Sequence, residues 1–267
     1  MLVGKLRLVS VADILTISNG ICGILAIICF WRFYPNITIG TGLIFLGLVF
    51  DGMDGAAARR FGTKHDFGRH LDSISDSFTF CIAPGALIIT VFYMPIESET
   101  FFSPNALAMP INISVILTSL IMICFGLNRL INFTFYGYKL KNFLGLATPA
   151  MAFFVIVISH ILDPHRAEND SIFIVFFSLI MILFGSILMM AEIKYPKVRG
   201  KVGAVLAVAI IVSLLSIEVQ KWLNLGSSDN IYIYYRIISF CGLGLIMIYV
   251  FVSPLFVILK DKKSKLK

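Results

Sequence analysis

Long apolar runs separated by short polar breaks form the main pattern of the chain. Eight of these runs approach or exceed the roughly 20 residues that a helix needs to cross a bilayer. They cover residues 12–32, 37–60, 68–92, 106–133, 146–162, 171–190, 201–220 and 233–259. Turn-forming residues such as Pro35, Pro104 and Pro164 lie in the breaks. The pattern therefore predicts an all-α, polytopic integral membrane protein with about eight transmembrane helices.

The composition agrees with a chain that is mostly surrounded by lipid. Of its 267 residues, 58% are hydrophobic and only 14% are charged, and the mean hydropathy is +0.93. A soluble domain has about 45–50% apolar and about 25% charged residues. The five cysteines all lie within apolar runs. These values exclude a soluble globular protein, a disordered chain and a disulfide-rich scaffold.

The formal net charge of +7 does not indicate a nucleic-acid partner, because the basic residues lie at the edges of apolar runs. With the N-terminus in the cytoplasm, 17 of the 22 Lys and Arg residues fall on the cytoplasmic side. Positive charge is enriched on that side of membrane proteins. We therefore expect a multi-pass protein of the cell membrane with both termini in the cytoplasm. The lysine-rich tail would contact anionic membrane lipids.

Four aspartates lie where the second and third predicted helices meet at the cytoplasmic side. Asp51 and Asp54 are three residues apart and share a helix face, and Asp72 and Asp76 are four apart and share another. The short loop 60–67 makes the two helices antiparallel neighbours. An aspartate inside a bilayer costs about 2.5–3.5 kcal/mol on insertion scales, so such residues are mostly functional. The sequence therefore predicts two carboxylate pairs that face each other at similar depth.

Converging carboxylates repel one another unless protons or cations neutralise them. Oxygen ligands alone suit hard cations such as Mg²⁺ or Mn²⁺. Four carboxylates can hold two ions about 3.5–4 Å apart, an arrangement that supports phosphoryl displacement. Small residues at 55–58 leave space beside the ions, and Arg59 could pair with a phosphate. A cation-coupled transporter is the alternative, but no internal repeat is visible and the aspartates lie towards one membrane face.

The aspartates belong to a longer pattern, D-x-x-D-G-x-x-A-R-x8-G-x3-D-x3-D. Its fixed positions are Asp51, Asp54, Gly55, Ala58, Arg59, Gly68, Asp72 and Asp76. In this pattern the chain resembles the CDP-alcohol phosphatidyltransferases. That resemblance implies a dimeric membrane enzyme with a six-helix catalytic core, which transfers a phosphatidyl group from a CDP-linked lipid to an alcohol and releases CMP. Residues 1–200 would form this membrane domain, and residues 201–267 would add two helices and the basic tail.

The resemblance also implies a role for each position of the pattern. Two Mg²⁺ or Mn²⁺ ions would be bound by Asp51, Asp54, Asp72 and Asp76. Asp76 would also be the catalytic general base for the acceptor hydroxyl. The nucleotide would be bound by Gly55, Ala58, Arg59 and Gly68.

Looser similarities concern the acceptor. The stretches 12–23, 66–84, 128–133, 145–150 and 188–196 resemble the branch of the family that uses L-serine. Arg129, inside a predicted span, could bind the serine carboxylate or extend to the cytoplasmic surface. Asn19 could reach the acceptor or serve helix packing. Glycerol 3-phosphate and inositol phosphate remain alternative acceptors, and the donor could be CDP-diacylglycerol or CDP-archaeol.

Two further sets of residues are expected to support the structure rather than the reaction. Close helix packing is expected at Gly20, Gly23, Gly40, Gly42 and Gly47. The histidines His65 and His70 lie near the aspartates and are expected to be loop residues or to lie behind the groups that bind substrate.

Overall fold

The computed structural model describes residues 10–33, 37–61, 66–93, 108–136, 143–161, 171–191, 194–195 and 244. The helices predicted at 201–220 and 233–259 and the basic tail therefore lie outside the described residues, apart from position 244. All statements below concern the described part of the chain.

Helices make up nearly all of the described structure. Their bounds are α1 Val11–Arg32, α2 Thr38–Phe61, α3 Asp66–Asp76, α4 Ala83–Phe92, α5 Ala108–Tyr136, α6 Thr148–Ile161 and α7 Ser171–Met190. Two short strands, β1 Phe143–Leu144 and β2 Lys194–Tyr195, pair in antiparallel fashion. Five stretches are long and apolar enough to cross a membrane: Val11–Arg32, Thr38–Ala58, Phe67–Phe92, Met109–Phe135 and Phe173–Met190. The first six predicted helices and the all-α membrane class are confirmed.

The third predicted helix is continuous but not uniform. A π-helical turn, Ser77–Ile82, joins α3 to α4. The Ala83 N–H donates to the Phe78 carbonyl, five residues back, and Pro84 has no N–H to donate. Such turns frequently occur at functional sites, and this one follows Asp76 directly.

The interior of the bundle is built around α4 and α6, whose apolar side chains are buried along most of each helix. Phe45 of α2 stacks on Phe153 of α6 with ring centroids 5.1 Å apart. The outer helices α1, α2, α5 and α7 instead expose apolar side chains such as Ile28, Leu46 and Ile180. Exposed apolar faces around a buried centre are what a lipid-facing bundle requires.

Helix α1 packs very closely on its neighbours. A Cβ added at Gly23 would lie 2.6 Å from the Thr79 backbone nitrogen, and one at Gly47 would lie 2.6 Å from the Thr79 Cγ2 atom. Gly20 meets Ser75, and Gly40 meets the Phe30 ring. These four glycines serve close packing, as predicted. The prediction for Gly42 is wrong within the described chain, because a Cβ there would have no atom within 4 Å and the position faces outward.

Candidate active site

Three aspartates from two helices converge at one end of the bundle. Asp51 lies on α2, and Asp72 and Asp76 lie one turn apart on α3. One carboxylate oxygen of each lies within 4.8 Å of those of the other two. The aspartates converge, as their spacing predicted, but α2 and α3 pack mainly against α1 rather than against each other. The expectation that these two helices are direct packing neighbours is therefore wrong.

Asp54 lies beside this cluster but is not one of its three members. Its side chain is 7% exposed, and its Oδ2 accepts a hydrogen bond of 2.5 Å from the Thr16 hydroxyl of α1. The structure therefore brings together three of the four predicted metal ligands and places the fourth next to them, bonded to α1.

Asp76 is also bonded to α1. The Nδ2 atom of Asn19, which is fully buried, donates a hydrogen bond of 2.9 Å to Asp76 Oδ1. This contact places Asn19 behind Asp76. It also means that one of the two carboxylate oxygens of Asp76 already accepts a hydrogen bond.

Asp72 provides a test of whether the cluster fits a cation. Its Oδ1 is buried and has no hydrogen-bond partner among the described residues. Buried carboxylate oxygens are normally hydrogen-bonded or bound to metal. The cluster offers oxygen ligands only, which suit Mg²⁺ or Mn²⁺. The donor set and the unpaired oxygen therefore fit a divalent cation.

The residues expected to contact the nucleotide line the same end of α2 and the start of α3. Gly55 and Ala58 are half-buried on α2, and Gly68 is half-buried on α3. The side chain of Arg59 lies outside the described residues. Gly52, next to Asp51 in the sequence, is exposed, and a Cβ added there would meet no atom within 4 Å.

Arg129 of α5 is half-buried. Its Nη1 donates a hydrogen bond of 2.7 Å to the hydroxyl of Thr148, which is 1% exposed at the start of α6. The guanidinium is thus held at the buried start of α6.

A short connection holds Thr148 in this position. Gly145 adopts a φ of +75°, and a Cβ there would lie 3.0 Å from the Met189 carbonyl carbon, so glycine is required. The next residue, Leu146, donates from its backbone N–H to the Leu188 carbonyl at 3.0 Å. The β1–β2 pair ties the same segment to the chain just after α7.

The interpretation of the residues around the aspartates missed Thr16 and Thr148. Thr16 lies three residues before Asn19 in an apolar helix, and this polar pair on one face was the available signal. Nothing local to Thr148 indicates its contact with Arg129. His70 is exposed, with its ring 6.0 Å from that of Phe135, and it is not part of the carboxylate cluster. His65 lies outside the described residues.

The sequence is similar to those of known proteins over most of its length. Residues 9–228 match the CDP-alcohol phosphatidyltransferase family. A CDP-diacylglycerol–serine O-phosphatidyltransferase of Methanocaldococcus jannaschii is 30% identical over 79% of this chain and 86% of its own length. The Bacillus subtilis protein of that name is 31% identical over 68% of this chain and 87% of its own length. An archaetidylserine synthase of Methanothermobacter thermautotrophicus is 30% identical, with 72% of each chain covered.

The family match includes both helices that carry the clustered aspartates, together with α1, which donates hydrogen bonds to Asp54 and Asp76. By this extent of similarity, the chain belongs to the CDP-alcohol phosphatidyltransferase family.

Proposed function

We propose that this protein transfers the phosphatidyl or archaetidyl group of a CDP-linked lipid to the hydroxyl of L-serine and releases CMP. The observation that carries the reaction class is the convergence of Asp51, Asp72 and Asp76 within 4.8 Å, in a chain of this family. The names of the relatives support serine as the acceptor. Those names include both diacylglycerol and archaeol lipids, so CDP-diacylglycerol and CDP-archaeol are both proposed donors.

Two Mg²⁺ or Mn²⁺ ions would be held by Asp51, Asp54, Asp72 and Asp76. When bound, such ions would neutralise the diphosphate and the charge that develops on it during transfer. The unpaired Oδ1 of Asp72 supports this assignment. Asp54 would contribute from the position that its bond to Thr16 defines.

Asp76 would act as the general base. An alcohol proton is not lost at neutral pH, so a positioned carboxylate is needed to accept it. Asn19 bonds one oxygen of Asp76, and the other oxygen remains for the serine hydroxyl. CMP is a good leaving group, so no general acid is required.

The nucleotide would lie against the small residues of α2 and the start of α3. Gly55, Ala58 and Gly68 would allow its close approach, and Arg59 would pair with a phosphate. The half-buried positions of Gly55, Ala58 and Gly68 on the two helices that carry the aspartates support this placement.

Arg129 would bind the carboxylate of serine. A guanidinium can bind a carboxylate through a bidentate pair of hydrogen bonds. The bond from Nη1 to the buried Thr148 hydroxyl directs the Arg129 side chain towards the interior of the bundle, which supports this role.

We expect Arg129→Gln to raise the KM for serine by about tenfold or more, since charge-assisted hydrogen bonds contribute about 1.5–3 kcal/mol. The KM for the CDP-lipid should change much less. Initial rates of CMP release at varied serine concentration would measure both constants. Thr148→Val is the companion variant, because it removes only the bond that fixes the guanidinium and should raise the same KM by a smaller factor. An unchanged KM for serine in Arg129→Gln would contradict the acceptor role.

The positive-charge asymmetry supports a cell-membrane protein with its termini and this site on the cytoplasmic side, where a nucleotide substrate is available. We also propose a homodimer, with residues 201–267 as an accessory part of the membrane domain.

The proposal is tested by CMP release from purified protein in detergent. CDP-diacylglycerol or CDP-archaeol would be supplied with Mn²⁺ or Mg²⁺ and with serine, glycerol 3-phosphate or inositol phosphate separately. We expect metal-dependent release with serine alone and none in EDTA. Release with a phosphorylated alcohol instead would keep the reaction class and contradict serine. No release with any acceptor and either donor would contradict the proposed function.

A further inference from the structure

We infer that α1 is the positioning helix of the carboxylate site, with Thr16 orienting Asp54 and Asn19 orienting Asp76. This inference rests on the proposed function for its meaning in turnover. It assigns Asn19 a position behind Asp76 rather than a contact with the acceptor. It also gives a role to Thr16, which the sequence analysis included only as part of the stretch 12–23.

The two contacts are spaced to act together. Thr16 and Asn19 lie three residues apart and therefore on one face of α1. Thr16 donates to Asp54 Oδ2 at 2.5 Å, and Asn19 donates to Asp76 Oδ1 at 2.9 Å. One helix thereby fixes a carboxylate on α2 and another on α3. Residues that hydrogen-bond metal-ligating groups from behind set their orientation.

The position of Asn19 fixes the direction of its amide. A Cβ on Gly47 would lie 2.8 Å from Asn19 Oδ1, so α2 closes over that side of the amide. The reversed amide would place Oδ1 against the Asp76 oxygen, and two acceptors repel each other. Thr79 donates to the Asn19 backbone carbonyl at 2.8 Å, which holds this turn of α1 against the π-helical turn after Asp76.

The amide also carries a cost that helix packing does not explain. Asn19 Oδ1 is buried without a hydrogen-bond partner in the described chain, and such groups destabilise the folded state. An apolar side chain would avoid this cost and pack equally well. The hydrogen bond that Nδ2 donates to Asp76 explains why an asparagine, with its amide, is present at position 19.

The test compares near-isosteric variants that remove one contact each. Thr16→Val and Asn19→Leu keep the branched shape and lose the donor, whereas Thr16→Ser keeps the hydroxyl. Thr90→Val is the matched control. Within the described chain, the Thr90 hydroxyl donates to the Ala86 carbonyl one turn back and is bonded to no carboxylate. The Thr16 hydroxyl lies equally close to the Ala12 carbonyl, but its single proton is directed to Asp54.

Two readouts are measured on each purified full-length variant: Mn²⁺ binding, by quenching of the free-ion paramagnetic resonance signal, and the kcat and KM of CMP release. We expect Thr16→Val and Asn19→Leu to weaken Mn²⁺ binding or lower kcat by about 10–100-fold, with the KM for serine within about threefold. Thr16→Ser and Thr90→Val should match the wild type. The melting temperature in EDTA would show that each variant is folded.

Different results separate the inference from the proposed function. Wild-type Mn²⁺ binding and kcat in both Thr16→Val and Asn19→Leu would overturn the inference. A raised KM for serine with unchanged kcat in Asn19→Leu would overturn the inference that Asn19 orients Asp76. It would indicate instead that Asn19 contacts the acceptor. If the wild type releases no CMP but the two variants bind Mn²⁺ more weakly, the positioning role stands and the proposed function fails. Absence of Mn²⁺ binding by the wild type would overturn the inference.

Discussion

Asp76→Asn is expected to lower the kcat of CMP release by about 10²–10⁴-fold, the range that general-base catalysis contributes. The substitution is close to a pure test of basicity. The new amide oxygen can still accept the hydrogen bond that Asn19 Nδ2 donates to Asp76 Oδ1 at 2.9 Å. The side chain therefore keeps its position, but it can no longer take the proton of the acceptor hydroxyl.

Binding should respond much less than turnover in this variant. Asp51, Asp54 and Asp72 remain, so we expect CDP-lipid binding to change much less than kcat, and Mn²⁺ affinity to fall less than in Asp51→Asn. The same chemical change at Asp13 is the control. Asp13 forms the capping box of α1 with Ser10, and an asparagine can still accept the Ser10 N–H. If Asp76→Asn turned over at nearly the wild-type rate, Asp76 would not be the general base.

The helix bounds follow closely from the sequence because lipid imposes both length and polarity on a spanning segment. The first predicted helix, 12–32, is observed as Val11–Arg32, and its start is fixed by a local signal, the Ser10 cap. The π-helical turn after Asp76 was not predicted. Pro84 marks a missing donor, but the sequence does not say whether the helix bends, breaks or widens there.

The carboxylate cluster was predictable from the spacing of the aspartates, but the packing of both α2 and α3 on α1 was not. The separate position of Asp54 was not predictable either. It depends on how closely α1 approaches, and that distance is set by contacts of Gly23 with Thr79 and of Gly47 with Asn19, residues far apart in the sequence. Non-local packing of this kind leaves no periodic signal.

The direction of Arg129 shows the same limit. A basic residue near the end of a span can extend to the surface or turn inward, and its neighbours in sequence are compatible with both. The inward position depends on Thr148, 19 residues later. Thr148 is in turn placed by Gly145 and the β1–β2 pair, which reaches Lys194 and Tyr195. The direction of the Arg129 side chain therefore depends on successive contacts between three segments of the protein.

Asp51→Asn is expected to abolish both metal binding and turnover, in contrast to Asp76→Asn. Asp51 is the only member of the three-carboxylate cluster that comes from α2. Without its charge, the remaining members of the cluster lie on one face of α3. The carboxylate left on α2 is Asp54, whose Oδ2 is engaged by Thr16. A neutral amide is also a weaker ligand for a hard cation than a carboxylate. We expect Mn²⁺ affinity to fall by more than the roughly 100-fold that loss of an outer-shell contact can cause.

The same variant has an opposite expected effect on the metal-free protein. Three partly buried carboxylates within 4.8 Å repel one another in EDTA, so removal of one charge should raise the melting temperature there. Added Mn²⁺ should stabilise the wild type by mass action and leave Asp51→Asn unchanged. Melting curves with EDTA and with a Mn²⁺ series would measure both effects, with Asp13→Asn expected to follow the wild type. A variant that melted lower in EDTA and still gained stability from Mn²⁺ would show that the cluster is held by hydrogen bonds and does not bind the cation.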